Sequence, residues 1–141
     1  MDTLFVNLLV TWALVGLIWT IQLVHYPSFH FIASDDFLAF HQHHTSSITL
    51  IVMPLMLVEL GLAVYLAQQY QWQMDYLIPL ITVLLIWLST FLIQVPLHNA
   101  LGVEKDTEAI RRLVQTNWIR TILWTVKGIW VGYYFYWSRF F

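Results

Sequence analysis

No charged residue stands between Asp2 and Asp35, and three further stretches of similar length carry at most two charges each. A run of about 20 such residues, wound as a helix, crosses the ~30 Å hydrocarbon core of a bilayer. The runs fall at about residues 4–24, 46–67, 76–97 and 117–137. Lipid offers no partner to an open backbone amide, and the chain is too short for a barrel, so each run must be helical. The expectation is an all-α integral membrane four-helix bundle, residues 1–141 forming a single transmembrane domain. The start, Met-Asp-Thr, lacks the positive region of a signal peptide, so the first span reads as a retained helix.

Composition closes off the alternatives. Sixty per cent of residues are hydrophobic and only 10% charged, against about 25% charged in an ordinary soluble domain. That excludes a soluble globular enzyme and a disordered chain. Six Lys and Arg against eight Asp and Glu supply no basic surface for nucleic acid. Without cysteine there is no disulfide, thiolate metal site or iron–sulfur cluster. Membrane lipids and a lipophilic small molecule are the expected partners, with a homo-oligomer as a further possibility.

Four spans put both termini and the short loop 68–75 on one side, and the longer connections, about 25–45 and 98–116, on the other. Lys105, Arg111, Arg112 and Arg120 belong to the second side and only Arg139 to the first. The positive-inside rule then assigns the long connections to the cytoplasm of a bacterial inner membrane, with both termini outside. Tyr65, Tyr70, Trp72, Tyr76, Tyr133, Tyr134, Tyr136 and Trp137 would form an aromatic belt at the outer face. Each connection reads as a short amphipathic helix. One begins at a Ser34 cap followed by Asp35 and Asp36; the other carries Ile110, Leu113, Val114 and Trp118 on one side.

All six histidines fall on the cytoplasmic side of this topology. His25 and His30 follow the first span, His41, His43 and His44 precede the second, and His98 closes the third. Gln22 lies three residues before His25 and four before Tyr26; His41 and His44 share a face, as do Gln94 and His98. Asn117, Arg120, Thr121, Trp124 and Lys127 make one stripe down the fourth span. Polar groups in membrane helices face the bundle interior, because a charge facing lipid costs about 2.5–3.5 kcal/mol on insertion scales. His25, His41, His44 and His98 are thereby candidate ligands for a transition metal or a haem, imidazole being the commonest nitrogen donor. They equally suit substrate binding without metal, or plain hydrogen bonding at helix ends. His30 and His43 match no other polar residue in spacing. Asn117 and Arg120 are candidates to orient an anionic or carbonyl oxygen, and Tyr26 to donate a proton. Within the spans, Glu59 and Lys127 are an expected charge pair, either fixing helix register or serving a proton relay. Pro54 is expected to kink the second span between the histidines and Glu59.

Gln22-Leu-Val-His-Tyr-Pro-Ser-Phe29, His44 with Pro54 and Glu59-Leu60, Gln94-Val-Pro-Leu-His98, and Leu113-Val-Gln-Thr-Asn-Trp-Ile-Arg-Thr121 with Leu123-Trp124 carry a resemblance. In them the chain resembles a group of uncharacterised bacterial four-helix integral membrane proteins, and more distantly the anthrone-oxygenase-like membrane family. That family has a Val-Pro-Leu-Asn-like end to its third span, where His98 precedes Asn99 in this sequence. The resemblance implies oxidation of a polycyclic or quinol-like substrate by molecular oxygen at the membrane. A membrane oxidoreductase or ligand-binding protein is the leading expectation. A proton-coupled transporter using Glu59 and Lys127, and a non-catalytic interaction subunit, are the alternatives.

Overall fold

The computed structural model describes residues 2–140, leaving Met1 and Phe141 outside the description, and these residues are helical with no strand. Helices α1 (Thr3–Thr20) and α2 (Tyr26–Ser28) are joined by a π turn, Ile21–His25, and continue into a 3-10 turn, Phe29–Phe31. Helix α3 runs from Ser34 to Gln69. Helices α4 (Met74–Ser89) and α5 (Val95–Leu101) are joined by a second π turn, Thr90–Gln94, and α6 runs from Thr107 to Phe140. The result is four helical rods. Three of them, Thr3–Phe31, Ser34–Gln69 and Met74–Leu101, are long and apolar enough to cross a membrane.

The fourth rod, α6, is not among those three, and its stripe gives the reason. Asn117, Arg120, Thr121 and Lys127 interrupt its apolar sequence, yet all four are buried against the other rods. The first rod packs on α3 and α6, and α4 does the same from the other side. Gly128 permits close approach to α1: a Cβ there would stand 3.1 Å from Val15 Cγ2. Burial runs opposite to that of a water-soluble protein. Asn7, Thr11, Gln22, Glu59 and Lys127 are inside, whereas Leu50, Leu92, Ile129 and Val24 are exposed. An exterior of this kind suits hydrocarbon.

Capping accounts for the starts of two rods. Asp2 Oδ1 accepts from the amide of Leu4 at 3.0 Å, and Asp106 Oδ1 from that of Glu108 at 2.8 Å. At α3 the cap position falls on Ala33 without a side-chain bond, so Ser34 is the first helical residue and not the cap. Both amphipathic stretches are continuous with the rods they precede; the irregular backbone of these two connections is confined to residues 32–33 and 102–106. Of the apolar face expected on the second stretch, Ile110 and Leu113 are fully buried, while Trp118 is an exposed edge resting on Trp19.

Changes of helix type occur at prolines in the first and third rods. Helix α3 passes Pro54 unbroken. The π turns occur just ahead of Pro27 and Pro96, with the amides of Tyr26 and Val95 reaching back five residues to the carbonyls of Ile21 and Thr90. Each proline lacks the amide that would close the next turn, and the wider turn upstream relieves its ring. One extra residue per turn also rotates everything downstream.

At the end holding the termini, Arg139 bonds Asp2. Tyr76 is buried there, stacked on Tyr70 at 4.0 Å and donating to Tyr134 Oη at 2.8 Å. Tyr76 is therefore internal rather than part of an outward belt, with Tyr70 and Tyr134 half-buried against it, while Tyr65, Trp72 and Tyr133 are exposed. The turn between α3 and α4 holds Gln71 and Trp72 at φ 52° and 61°, left-handed values uncommon outside glycine.

Candidate functional site

At the opposite end, the π turns deliver polar side chains from two rods to one place. Tyr26 follows the first and His98 lies four residues beyond the second. Their Oη and Nε2 share a hydrogen bond of 3.0 Å. His98 Nδ1 shares another, also 3.0 Å, with Nε2 of His41 on α3. Ring centroids of His25 and His44 are 4.1 Å apart, and those of His44 and His98 6.0 Å. Phe29 packs edge-on to His25, His41 and His44, closing the group from below. His30 and His43 are exposed and stand apart.

Arg120 approaches from α6. Its Nε and Nη2 donate to Asn117 Oδ1 at 3.0 and 2.6 Å, Nη1 to Thr90 Oγ1 at 3.3 Å, and Nη2 to Tyr26 Oη at 3.3 Å. It is 6% exposed, and every one of these partners is neutral. Asn117 is engaged on both sides: its amide donates to Gln22 Oε1 at 2.9 Å while its oxygen holds Arg120. Gln22 in turn donates to the carbonyl of Val114 and accepts from Thr121. Asn117 thus braces the guanidinium from behind, with both ends of its amide engaged inside the protein.

In front of Arg120 lies a cavity of about 140 Å³. Leu14, Ile18, Val52, Met53, Met56 and Trp124 supply most of its wall; Tyr26, Thr90, Gln94, His98 and Arg120 supply the polar remainder. Gln94 is 1% exposed; its Oε1 accepts from Ser89 Oγ at 3.1 Å, but its Nε2 has no partner. Spacing had paired Gln94 with His98 without separating its two ends; the unpartnered amide is visible only once Ser89 is in place. Thr90 escaped notice because a lone hydroxyl in an apolar span carries no signal of its own. Outside, a wider groove of about 700 Å³ is lined by His41, His98, Leu38, Thr45 and Asn99 among others. Cavity and groove share Ile48, Thr49, Val95 and His98.

The four candidate histidines are engaged with one another and with Tyr26 more than with a common centre. No group of three or more His, Cys, Asp or Glu side chains among the described residues has ligand geometry. The bonds explain it: His41 Nε2 and His98 Nδ1 face each other, and His98 Nε2 faces Tyr26. Among their ring nitrogens, His25 Nε2 and His44 Nε2 are buried without partners.

Glu59 and Lys127 meet deeper in the molecule. Lys127 Nζ donates to Glu59 Oε1 and to Thr11 Oγ1, both at 2.7 Å, and Trp124 Nε1 donates to both Glu59 oxygens at 3.2 and 3.1 Å. Both charged side chains are wholly buried. Comparison with protein-family models, curated proteins and solved structures finds no match for this chain.

Proposed function

We propose that this protein is an integral membrane four-helix bundle that binds a small lipophilic molecule by an oxygen-bearing ring. Arg120 carries the reading: a buried guanidinium with only neutral partners, on the wall of a hydrocarbon-lined cavity. Removing such a charge from water is costly unless an anion or a strong acceptor faces it. A carbonyl, phenolate or quinone-type oxygen fits, with the unpartnered Gln94 amide as a second donor. A cavity near 150 Å³ holds one benzene-sized ring. A polycyclic ligand of the kind the family resemblance implies would extend past Ile48 and Val95 into the groove.

In this reading α6 is the fourth span, and the histidine end faces the cytoplasm of a bacterial inner membrane, with both termini outside. Helix α3, about 54 Å long at 1.5 Å per residue, exceeds the bilayer core, so its histidine-bearing start stands at or beyond the interface. Oxidation of the ring is the chemistry the resemblance adds. The transporter alternative draws less support, because Glu59 and Lys127 are fully bonded to each other and to Thr11 and Trp124.

The test is equilibrium binding of 4-nitrophenol and of nitrobenzene to purified protein. Binding of the phenol in preference to nitrobenzene is expected, with both lost in Val52→Phe and the preference lost in Arg120→Met. Equal binding of the two by the wild type would remove the role given to Arg120. Metal analysis of the same sample bears on the metal alternative: one transition metal ion per chain would support it.

A further inference from the structure

Resting on the binding site proposed above, we infer that Tyr26, His98 and His41 form a proton-conducting chain between the buried cavity and the open groove. Tyr26 lines the cavity, His98 lines both spaces, and His41 lines the groove. The two links between them are each 3.0 Å, with no gap in between. Both ring nitrogens of His98 are used, one toward each side, which is the arrangement an imidazole needs to take a proton at one nitrogen while releasing one from the other. Arg120 can only donate, so its bond occupies a lone pair of Tyr26 Oη and leaves the hydroxyl hydrogen free to turn.

The transfer balances as follows. Tyr26 gives its hydroxyl proton to the ligand oxygen and receives one from His98 Nε2. His98 Nδ1 takes the Nε2 proton of His41, and His41 is replenished at Nδ1 by groove water. One proton enters, one leaves, and no electron moves. Either direction is open, so the same chain would drain a proton from a phenol or quinol. The surrounding titratable groups are His25 and His44, with Arg120 at the cavity end and Lys105 over the Phe37 ring on which His41 stacks.

The experiment is stopped-flow protonation of bound 4-nitrophenolate after an acid jump, followed by loss of its visible absorbance, in reconstituted wild type, His98→Gln and His41→Asn. His41→Asn, outside the cavity, should bind the probe within a few-fold of wild type yet protonate it about tenfold more slowly or worse, and His98→Gln should slow the protonation of whatever probe it binds by at least as much. Free imidazole should restore the rate, as it would not if the rings only packed. Should His98→Gln fail to fold, His41→Asn at the outer end decides alone. Failure of the wild type to bind the probe would overturn the site and the chain together. Normal binding with unchanged rates, or slowing that imidazole does not relieve, would overturn the chain alone.

Discussion

Two buried polar groups occupy the interior of this molecule, and they are finished to different degrees. In the Glu59–Lys127 group each charge meets its opposite and a neutral partner besides, with Thr11 and Trp124 completing the bonding. The group at the histidine end is open. Arg120 has no counter-charge among its partners, and Gln94 Nε2, His25 Nε2 and His44 Nε2 have none at all. These are three of the five buried side-chain atoms without partners among the described residues, and the cavity lies beside Arg120 and Gln94. A closed network fixes how rods pack; an open one next to a void is what the binding proposed above would complete.

The largest effect should come from breaking the closed group. Glu59→Ala or Lys127→Ala leaves one uncompensated buried charge, and each should lower stability by about 3–5 kcal/mol. The paired change Glu59→Leu with Lys127→Met should cost far less than the sum, as read by unfolding in mixed micelles. A double variant as unstable as the singles together would show that the pair is not a unit.

Arg120 sharpens the contrast in the other direction. Arg120→Lys keeps the charge but loses the planar fork that spans Asn117, Thr90 and Tyr26. Affinity for 4-nitrophenolate should fall about tenfold, equivalent to ~1.4 kcal/mol. Gln94→Met should be smaller again: a loss of about threefold in affinity with stability unchanged or slightly raised, since an unsatisfied donor disappears. If Gln94→Met left affinity untouched, its amide would have no part in the site.

Topology can be read without perturbing either group, because the chain has no cysteine. Val103→Cys, at the histidine end, should resist a membrane-impermeant thiol reagent in intact cells, and Ser138→Cys should react. The reverse pattern would invert the proposed orientation. The smallest effect is expected at the turn after α3. Gln71→Gly relieves a left-handed backbone and should raise stability by less than about 1 kcal/mol.

Much of this layout was legible from residue order. Apolar runs located the terminus-side end of each rod to within about three residues, since a helix that meets hydrocarbon must be apolar over its length; at the histidine end the rods run on past the apolar stretch, to Phe31, Ser34, Leu101 and Thr107. The stripe Asn117–Arg120–Thr121–Trp124–Lys127 marked the inward face of α6, and all five residues are buried. Spacing also assembled the histidine end from four separate stretches. It could not say how the rings of His25, His41, His44 and His98 are engaged, because periodicity reports which face a ring lies on and says nothing of where each nitrogen points. Tyr76 misled in the same way: a tyrosine near a span end resembles an interfacial one until its hydroxyl is found bonded to Tyr134.

Sequence by itself determined the helical rods and which polar residues would turn inward, because both follow from the cost of exposing polar atoms to an apolar medium. The tertiary structure decided the rest. Pairing of Lys127 with Glu59, the π turns ahead of Pro27 and Pro96, the bond from Tyr26 through His98 to His41, and the void before Arg120 depend on how far one rod is rotated and shifted against another. Those shifts are settled by side chains distant in the chain meeting within ångströms, a length scale at which no single stretch carries the information.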